Sequence, residues 1–95
     1  MPRKTRDVPK EIASFGERQF EETGAEKVEI LRVKAATMRK HFSKLRGTTY
    51  LVGVVNRDAA RVYFFDAKGV ILVGENVEHT QYDRIRKNSR LLAKF

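Results

Sequence analysis

The sequence predicts an α+β domain in which two N-terminal helices pack on a small antiparallel β-meander and a short C-terminal helix follows. Residues 49–55, 60–65 and 70–73 form short runs rich in β-branched and aromatic side chains, as strands do. Polar turn residues at 56–58 and 66–69 separate these runs, which favours hairpins. Apolar residues before the first run recur at helical spacing instead.

The N-terminal part of the chain predicts an arm and then a helix. Residues 1–7 are basic and are expected to form a flexible arm, while residues 8–95 form one domain. Pro9 suits the first turn of a helix because its missing N–H costs nothing there. Gly24 suits a left-handed helix end. The first helix is therefore expected between these two residues, with Ile12 and the aromatic side chains Phe15 and Phe20 at helical spacing.

The segment from residue 25 to residue 46 has two interpretations. Apolar residues spaced by three and four positions form one helical stripe, which consists of Val28, Leu31, Ala35, Met38, Phe42 and Leu45. Glu26 and Glu29 would lie near the start of this helix and Lys44 and Arg46 near its end, which complements the helix dipole. This stripe predicts a second helix. A strand at residues 27–33 remains the alternative, because that run is also rich in branched side chains.

The predicted meander is apolar on both faces. In the first run Tyr50, Val52 and Val54 alternate with Leu51 and Val55, so neither face is polar. A sheet of this kind needs a cover on each side, which helices or a partner would supply. The tail, residues 80–95, is expected to form a short amphipathic helix whose apolar residues Leu91, Leu92 and Phe95 pack on the sheet or on a partner.

The charge of the chain indicates a polyanionic partner. Its 95 residues contain 20 Lys and Arg against 12 Asp and Glu, for a net charge of +8 and a pI near 10.1. Nucleic acid is the most common partner of so basic a chain. Acidic residues crowd the first third and basic residues the later parts, so a positive surface is expected on the side of the meander.

Several classes of site and location are excluded or disfavoured. The chain has no cysteine, which excludes disulfides and thiolate metal sites. No apolar run approaches the roughly 20 residues that span a bilayer, and the basic start lacks the apolar segment of a secretory signal. The only histidines, His41 and His79, do not have paired metal-ligand spacing. We therefore expect a cytoplasmic protein that has neither a cofactor nor a metal ion and does not associate with membranes.

The residues that remain support one metal-independent reaction. In RNA the 2′-hydroxyl can attack the adjacent phosphate if a base, an acid and a cation assist. Histidine and tyrosine move protons, and arginine binds phosphate through its planar fork. The groups available for this chemistry around the predicted sheet are Arg46, Arg61, His79, Tyr82 and Arg84.

Three segments together resemble a known family. They are Lys44-Leu45-Arg46-Gly47, the strand Ala60-Arg61-Val62-Tyr63-Phe64-Phe65, and His79-Thr80-Gln81-Tyr82-Asp83-Arg84-Ile85. Their order resembles the RelE superfamily of bacterial toxins, and the last segment is most similar to the HigB branch. The resemblance covers roughly residues 38–86. The chain departs from many members at Leu51-Val52-Gly53-Val54-Val55, where those members place lysines.

The resemblance implies an endoribonuclease that cleaves mRNA on the ribosome and is inhibited by an antitoxin protein. Arg61, His79 and Tyr82 match the catalytic positions of the family and would surround one RNA phosphodiester. Basic residues near them are predicted to bind nucleic acid, and these are Lys44, Arg46, Arg57, Arg84, Arg86 and Lys87.

Two other functions stay open. One is a non-catalytic basic module that binds DNA or RNA as a regulator. The other is a structural protein whose doubly apolar sheet is completed by a partner or by a second copy. The sequence leaves the oligomeric state open.

Overall fold

A computed structural model describes residues 8–34 and 47–95. The elements in chain order are α1 (Lys10–Thr23), β1 (Lys27–Val33), β2 (Tyr50–Val55), β3 (Ala60–Phe65), β4 (Ile71–Val77), α2 (His79–Lys87) and β5 (Ser89–Lys94). Among these residues, neither helix is both long and apolar enough to cross a membrane.

The five strands form one antiparallel sheet in the order β4-β3-β2-β1-β5. The strands β1 to β4 follow one another as a meander. Helix α2 then crosses one face of the sheet and returns the chain to β5, which pairs with the free edge of β1. Helix α1 covers the opposite face, so each face of the sheet carries one of the two helices found among the described residues.

The prediction of two helices before the sheet is wrong, because α1 is the one helix that precedes β1 from residue 8 onward. Residues Lys27–Val33 form a strand, which was the alternative, and this strand lies between β2 and β5. Val28 and Ile30 are buried on the α1 face, while Leu31 and Val33 are buried on the α2 face. A strand buried on both faces shows no simple alternation, so its apolar residues also fit a helical stripe. The remainder of the predicted second helix, residues 35–46, lies outside the described residues.

The three strands of the predicted meander and the turns between them are present, but they belong to a five-stranded sheet and not to a small three-stranded one. The three predicted runs correspond to β2, β3 and β4, although β4 extends beyond its predicted end to Val77. The turn between β3 and β4 ends at Gly69, whose φ of 85° favours glycine. A C-terminal helix is present as α2, but Ser89–Lys94 then form β5 in place of a continued helix.

Helix α1 crosses its face of the sheet diagonally. Its first turn lies beside the β3–β4 turn, where Ile12 approaches Gly69. Its middle lies over β1 and the chain end, because Gly16 is placed against Ile30 and Phe95. Of the residues that the structure describes, α1 on its diagonal leaves two corners of this face uncovered. One corner is at the far end of β3 and β4, and the other is where β1 meets the start of β5.

Candidate nucleic-acid interface

The three residues predicted to be catalytic do not converge on one site. Arg61 is opposite Val54 in the sheet and therefore lies on the α1 face. Tyr82 lies in α2 and is buried against the other face. His79 starts α2 at the same end of the sheet as Arg61 and is exposed. The sheet itself separates the Arg61 guanidinium from the Tyr82 hydroxyl.

Tyr82 belongs to a closed polar group that we call the Tyr82 cluster: Glu29, Tyr82 and Arg86. Its hydroxyl donates to Glu29 Oε1 at 2.8 Å, and Arg86 Nε donates to both carboxylate oxygens at 3.0 and 3.1 Å. Glu29 is fully buried in β1, whereas the Arg86 side chain is 43% exposed. The cluster satisfies a buried charge and fixes α2 on the sheet.

The Tyr82 ring needs a glycine beneath it. Gly53 is the partner of Glu29 in the β1–β2 register, and a methyl group at Gly53 would overlap the Tyr82 ring and hydroxyl. Burial, and then the adjacent Glu29 carboxylate, raises the pKa of Tyr82 far above its ordinary value of 10.0. The hydroxyl is buried and already donates to Glu29, so it is not placed to accept a proton from a substrate.

His79 is held at the mouth of a shallow cleft. Its Nε2 lies 2.8 Å from the carbonyl oxygen of Asn56, which can only accept, so Nε2 carries the proton. The cleft has a volume of about 270 Å³, and its lining residues are Glu26, Lys27, Val55, His79, Tyr82 and Asp83. The cleft brings His79 and Tyr82 together, but the cation within it is Lys27 and not Arg61.

Arg61 belongs to a second polar group, which we call the Tyr63 cluster: Arg61, Tyr63 and Asn76. It occupies the open corner at the far end of β3 and β4. Arg61 Nε donates to the Tyr63 hydroxyl at 2.9 Å, and Nη1 donates to Asn76 Oδ1 at 3.1 Å. The guanidinium carbon lies 5.2 Å from the centre of the Tyr63 ring. Arg61 and Asn76 are exposed, and Tyr63 is half-buried.

The bonds within the Tyr63 cluster leave mainly donors for a ligand. A guanidinium has five N–H groups, and these two bonds use two of them. The Asn76 oxygen is occupied, so its NH₂ group is the part that remains. The Tyr63 oxygen accepts from Arg61, and this bond leaves its O–H group free to donate. A positive group surrounded by spare donors fits an oxyanion such as a phosphate.

The second open corner of the α1 face carries the arginine pair, Arg32 and Arg90. They are direct cross-strand partners on β1 and β5, and both side chains are exposed. Side chains in such positions have Cβ atoms about 4.5–5.5 Å apart, and like charges there are destabilising. Within residues 8–34 and 47–95, neither guanidinium has a carboxylate partner. The pair therefore concentrates uncompensated positive charge.

The other residues predicted to bind nucleic acid have different surroundings. Arg57 is exposed in the β2–β3 turn, and Arg84 and Lys87 are exposed on the last turns of α2. Arg86 is engaged with Glu29. Lys44 and Arg46 lie outside the described residues. The basic last turn of α2 leads directly into β5, whose second residue is Arg90.

Sequence reasoning missed Arg32, Tyr63 and Asn76 as site residues. The signal for Tyr63 was its position two residues from Arg61, which places both on one face of a strand. Arg32 had no such signal, because its neighbour Arg90 is 58 positions away and only the strand register brings them together.

In the described part of the chain, no group of three or more His, Asp or Glu side chains is arranged to hold a metal ion. Comparison of the chain with protein-family models, with curated proteins and with solved structures finds no match.

Proposed function

We propose that this protein is a non-catalytic nucleic-acid-binding module. The observation that carries this proposal is the arginine pair. Helix-dipole complementarity accounts for basic residues in the last turn of α2, because cations are favoured there. It does not account for two arginines placed directly opposite each other in strands. A phosphate backbone would supply the negative charge that Arg32 and Arg90 lack.

The surroundings of the arginine pair strengthen the proposal. Lys34 follows β1, Lys87 ends α2, and both are exposed at the same end of the sheet. The net charge of +8 provides long-range attraction for a polyanion. A cytoplasmic location belongs to the same proposal, since nucleic acid is accessible there.

The geometry favours binding over the cleavage that the RelE/HigB resemblance implies. Cleavage would require Arg61 to stabilise the same phosphate at which Tyr82 or His79 transfers a proton. Arg61 lies across the sheet from Tyr82, whose hydroxyl is buried and bound to Glu29. The antitoxin-inhibited nuclease on the ribosome stays a prediction of the resemblance.

The test measures binding of labelled RNA and DNA by fluorescence anisotropy as salt is varied. Arg32→Ala and Arg90→Ala should each weaken binding and reduce the slope of log K against log salt by about 0.7–0.9 for each phosphate that the variant no longer neutralises. Arg18→Ala is the matched control, because Arg18 is an exposed arginine on the acidic helix α1. Its removal should leave the slope unchanged.

Two results would contradict the proposal. One is a wild-type protein that binds no nucleic acid at low salt. The other is an equal loss of binding in all three variants, which would show only a dependence on net charge. Cleavage of the labelled RNA that disappears in Tyr82→Phe would favour the nuclease instead.

A further inference from the structure

The open corner that carries the Tyr63 cluster differs chemically from the corner with the arginine pair. It combines one guanidinium with an aromatic ring and an amide, and an apolar strip lies beyond the ring, at the start of β4. The strip comprises Val70, Ile71 and Leu72, which are 55%, 48% and 44% exposed. Ile71 is the partner of Phe65, so it lies on the same face of the sheet as Tyr63. Pure phosphate recognition would not require this apolar surface.

We infer that this corner binds an unpaired nucleotide of the nucleic-acid strand, with its phosphate at Arg61 and its base against Tyr63 and Ile71. The inference rests on the proposed function and adds its substrate class, single-stranded rather than duplex nucleic acid. Bases in a duplex present only their edges in the grooves, whereas an unpaired base offers an apolar π-face to an aromatic side chain.

The backbone beneath Tyr63 shapes this surface. A methyl group at Gly74, its partner on β4, would lie 2.9 Å from Tyr63 Cδ1, so the ring rests across the glycine. On the helix side, Phe15 meets the ring edge-to-face with centroids 4.8 Å apart. Gly74 below and Phe15 beside it restrict the orientation of the ring. A preordered ring loses little conformational entropy when a base packs on it.

The two corners are spaced for one strand of several nucleotides. Arg61 lies on β3, two strands away from β1. The β1 residue that is level with Arg61 is four residues from Arg32 along that strand. Strand geometry then places the two Cα atoms roughly 16 Å apart. Exposed glutamates of α1, including Glu17 and Glu21, lie on the diagonal between them. A strand that uses both corners must therefore pass around the helix, which a flexible single strand does more easily than a stiff duplex.

The experiment compares three probes: a single strand of roughly 12 nucleotides, its duplex, and the same single strand with abasic units. The wild type should prefer the normal single strand to the other two. Tyr63→Leu keeps an apolar contact for Phe15 but removes the ring. It should weaken binding of the normal strand by roughly fivefold to a hundredfold and leave the abasic strand unaffected. Tyr63→Phe keeps the ring and should retain most of the preference.

Ile71→Ser tests the apolar strip. It should also weaken the binding of the normal single strand and of no other probe. Leu91→Ser is its control, because Leu91 is 43% exposed on β5 at the opposite edge of the sheet. Equal affinity for duplex, abasic and normal strands would overturn the inference and leave the proposed function standing. Binding of no probe would remove both. A change of oligomeric mass in Ile71→Ser without any change in binding would assign the strip to a second copy and overturn the inference.

Discussion

The two faces of the sheet carry similar sets of side chains with opposite outcomes. Each face holds an arginine, a tyrosine and an oxygen acceptor, and each tyrosine ring lies over a glycine of a neighbouring strand. Tyr82 lies over Gly53, and Tyr63 lies over Gly74. The Tyr82 cluster is covered by α2, whereas the Tyr63 cluster lies at a corner that α1 leaves open.

The acceptor decides what each cluster can do. In the Tyr82 cluster the acceptor is a carboxylate, which neutralises Arg86 and accepts the hydrogen bond of the tyrosine hydroxyl. In the Tyr63 cluster the acceptor is the neutral amide of Asn76, so the charge of Arg61 remains. A closed, neutralised cluster stabilises the fold, and an open, charged cluster is available to a ligand.

The largest expected effect is a difference in unfolding free energy between variants of Arg86 and Arg61. Arg86→Met keeps most of the apolar stem but leaves the buried Glu29 without its cation, which should cost about 3 kcal/mol of unfolding free energy. Arg61→Met removes an exposed charge and should cost less than about 0.5 kcal/mol. Urea unfolding followed by circular dichroism measures both.

Arg61→Met should instead weaken nucleic-acid binding, which Arg86→Met should leave largely intact at temperatures where it is folded. Equal m-values for the variants are the control for an unchanged unfolding transition. Similar stability losses for the two substitutions would break the comparison, because the Tyr82 cluster would then be no more structural than its counterpart.

The next largest effect is the loss of stability when Gly53 or Gly74 is replaced by alanine. Gly53→Ala places a methyl group in the buried Tyr82 ring, and overpacking of this kind should destabilise by about 1–3 kcal/mol. Gly74→Ala meets a half-buried ring that can shift toward solvent, so its cost should stay below about 1 kcal/mol. Thermal unfolding compares them. A larger loss for Gly74→Ala would mean that the Tyr63 ring is the more tightly confined of the two.

The sequence predicted the local parts of this fold better than the non-local ones. The turns at Gly24 and Gly69 and the three runs of the meander have local causes, and all are present. Strand β1 was predicted as a helix because the decisive contacts are non-local. Its partner β5 is about 60 residues away, and burial on both faces hides the strand period.

The candidate site shows the same limit. Arg61 was correctly predicted to lie in a strand. That its side chain lies on the face opposite Tyr82 depends on the register of the strands. The fit of Tyr82 over Gly53 and the meeting of Arg32 with Arg90 also depend on register, with a β-bulge between Ile30 and Leu31. Composition predicted a basic surface. It did not indicate which arginines are neutralised.

The smallest effect appears only at alkaline pH. The pKa of Tyr82 is raised in the folded protein by burial and by Glu29, so the unfolded chain loses this proton first. The contribution of Tyr82 to the free energy of unfolding is fully present below the ordinary tyrosine pKa of about 10. It is lost as the pH rises above that value. One pH unit higher, the loss should be about 1 kcal/mol.

Tyr82→Phe should remove this part of the alkaline loss, and Tyr63→Phe should retain it. Urea unfolding at matched pH values measures the difference, and other titrating groups are common to both variants. If Tyr63→Phe removed the loss instead, the alkaline loss would not come from the buried Tyr82 hydroxyl. That result would remove this difference between the cluster that supports the fold and the one that can bind.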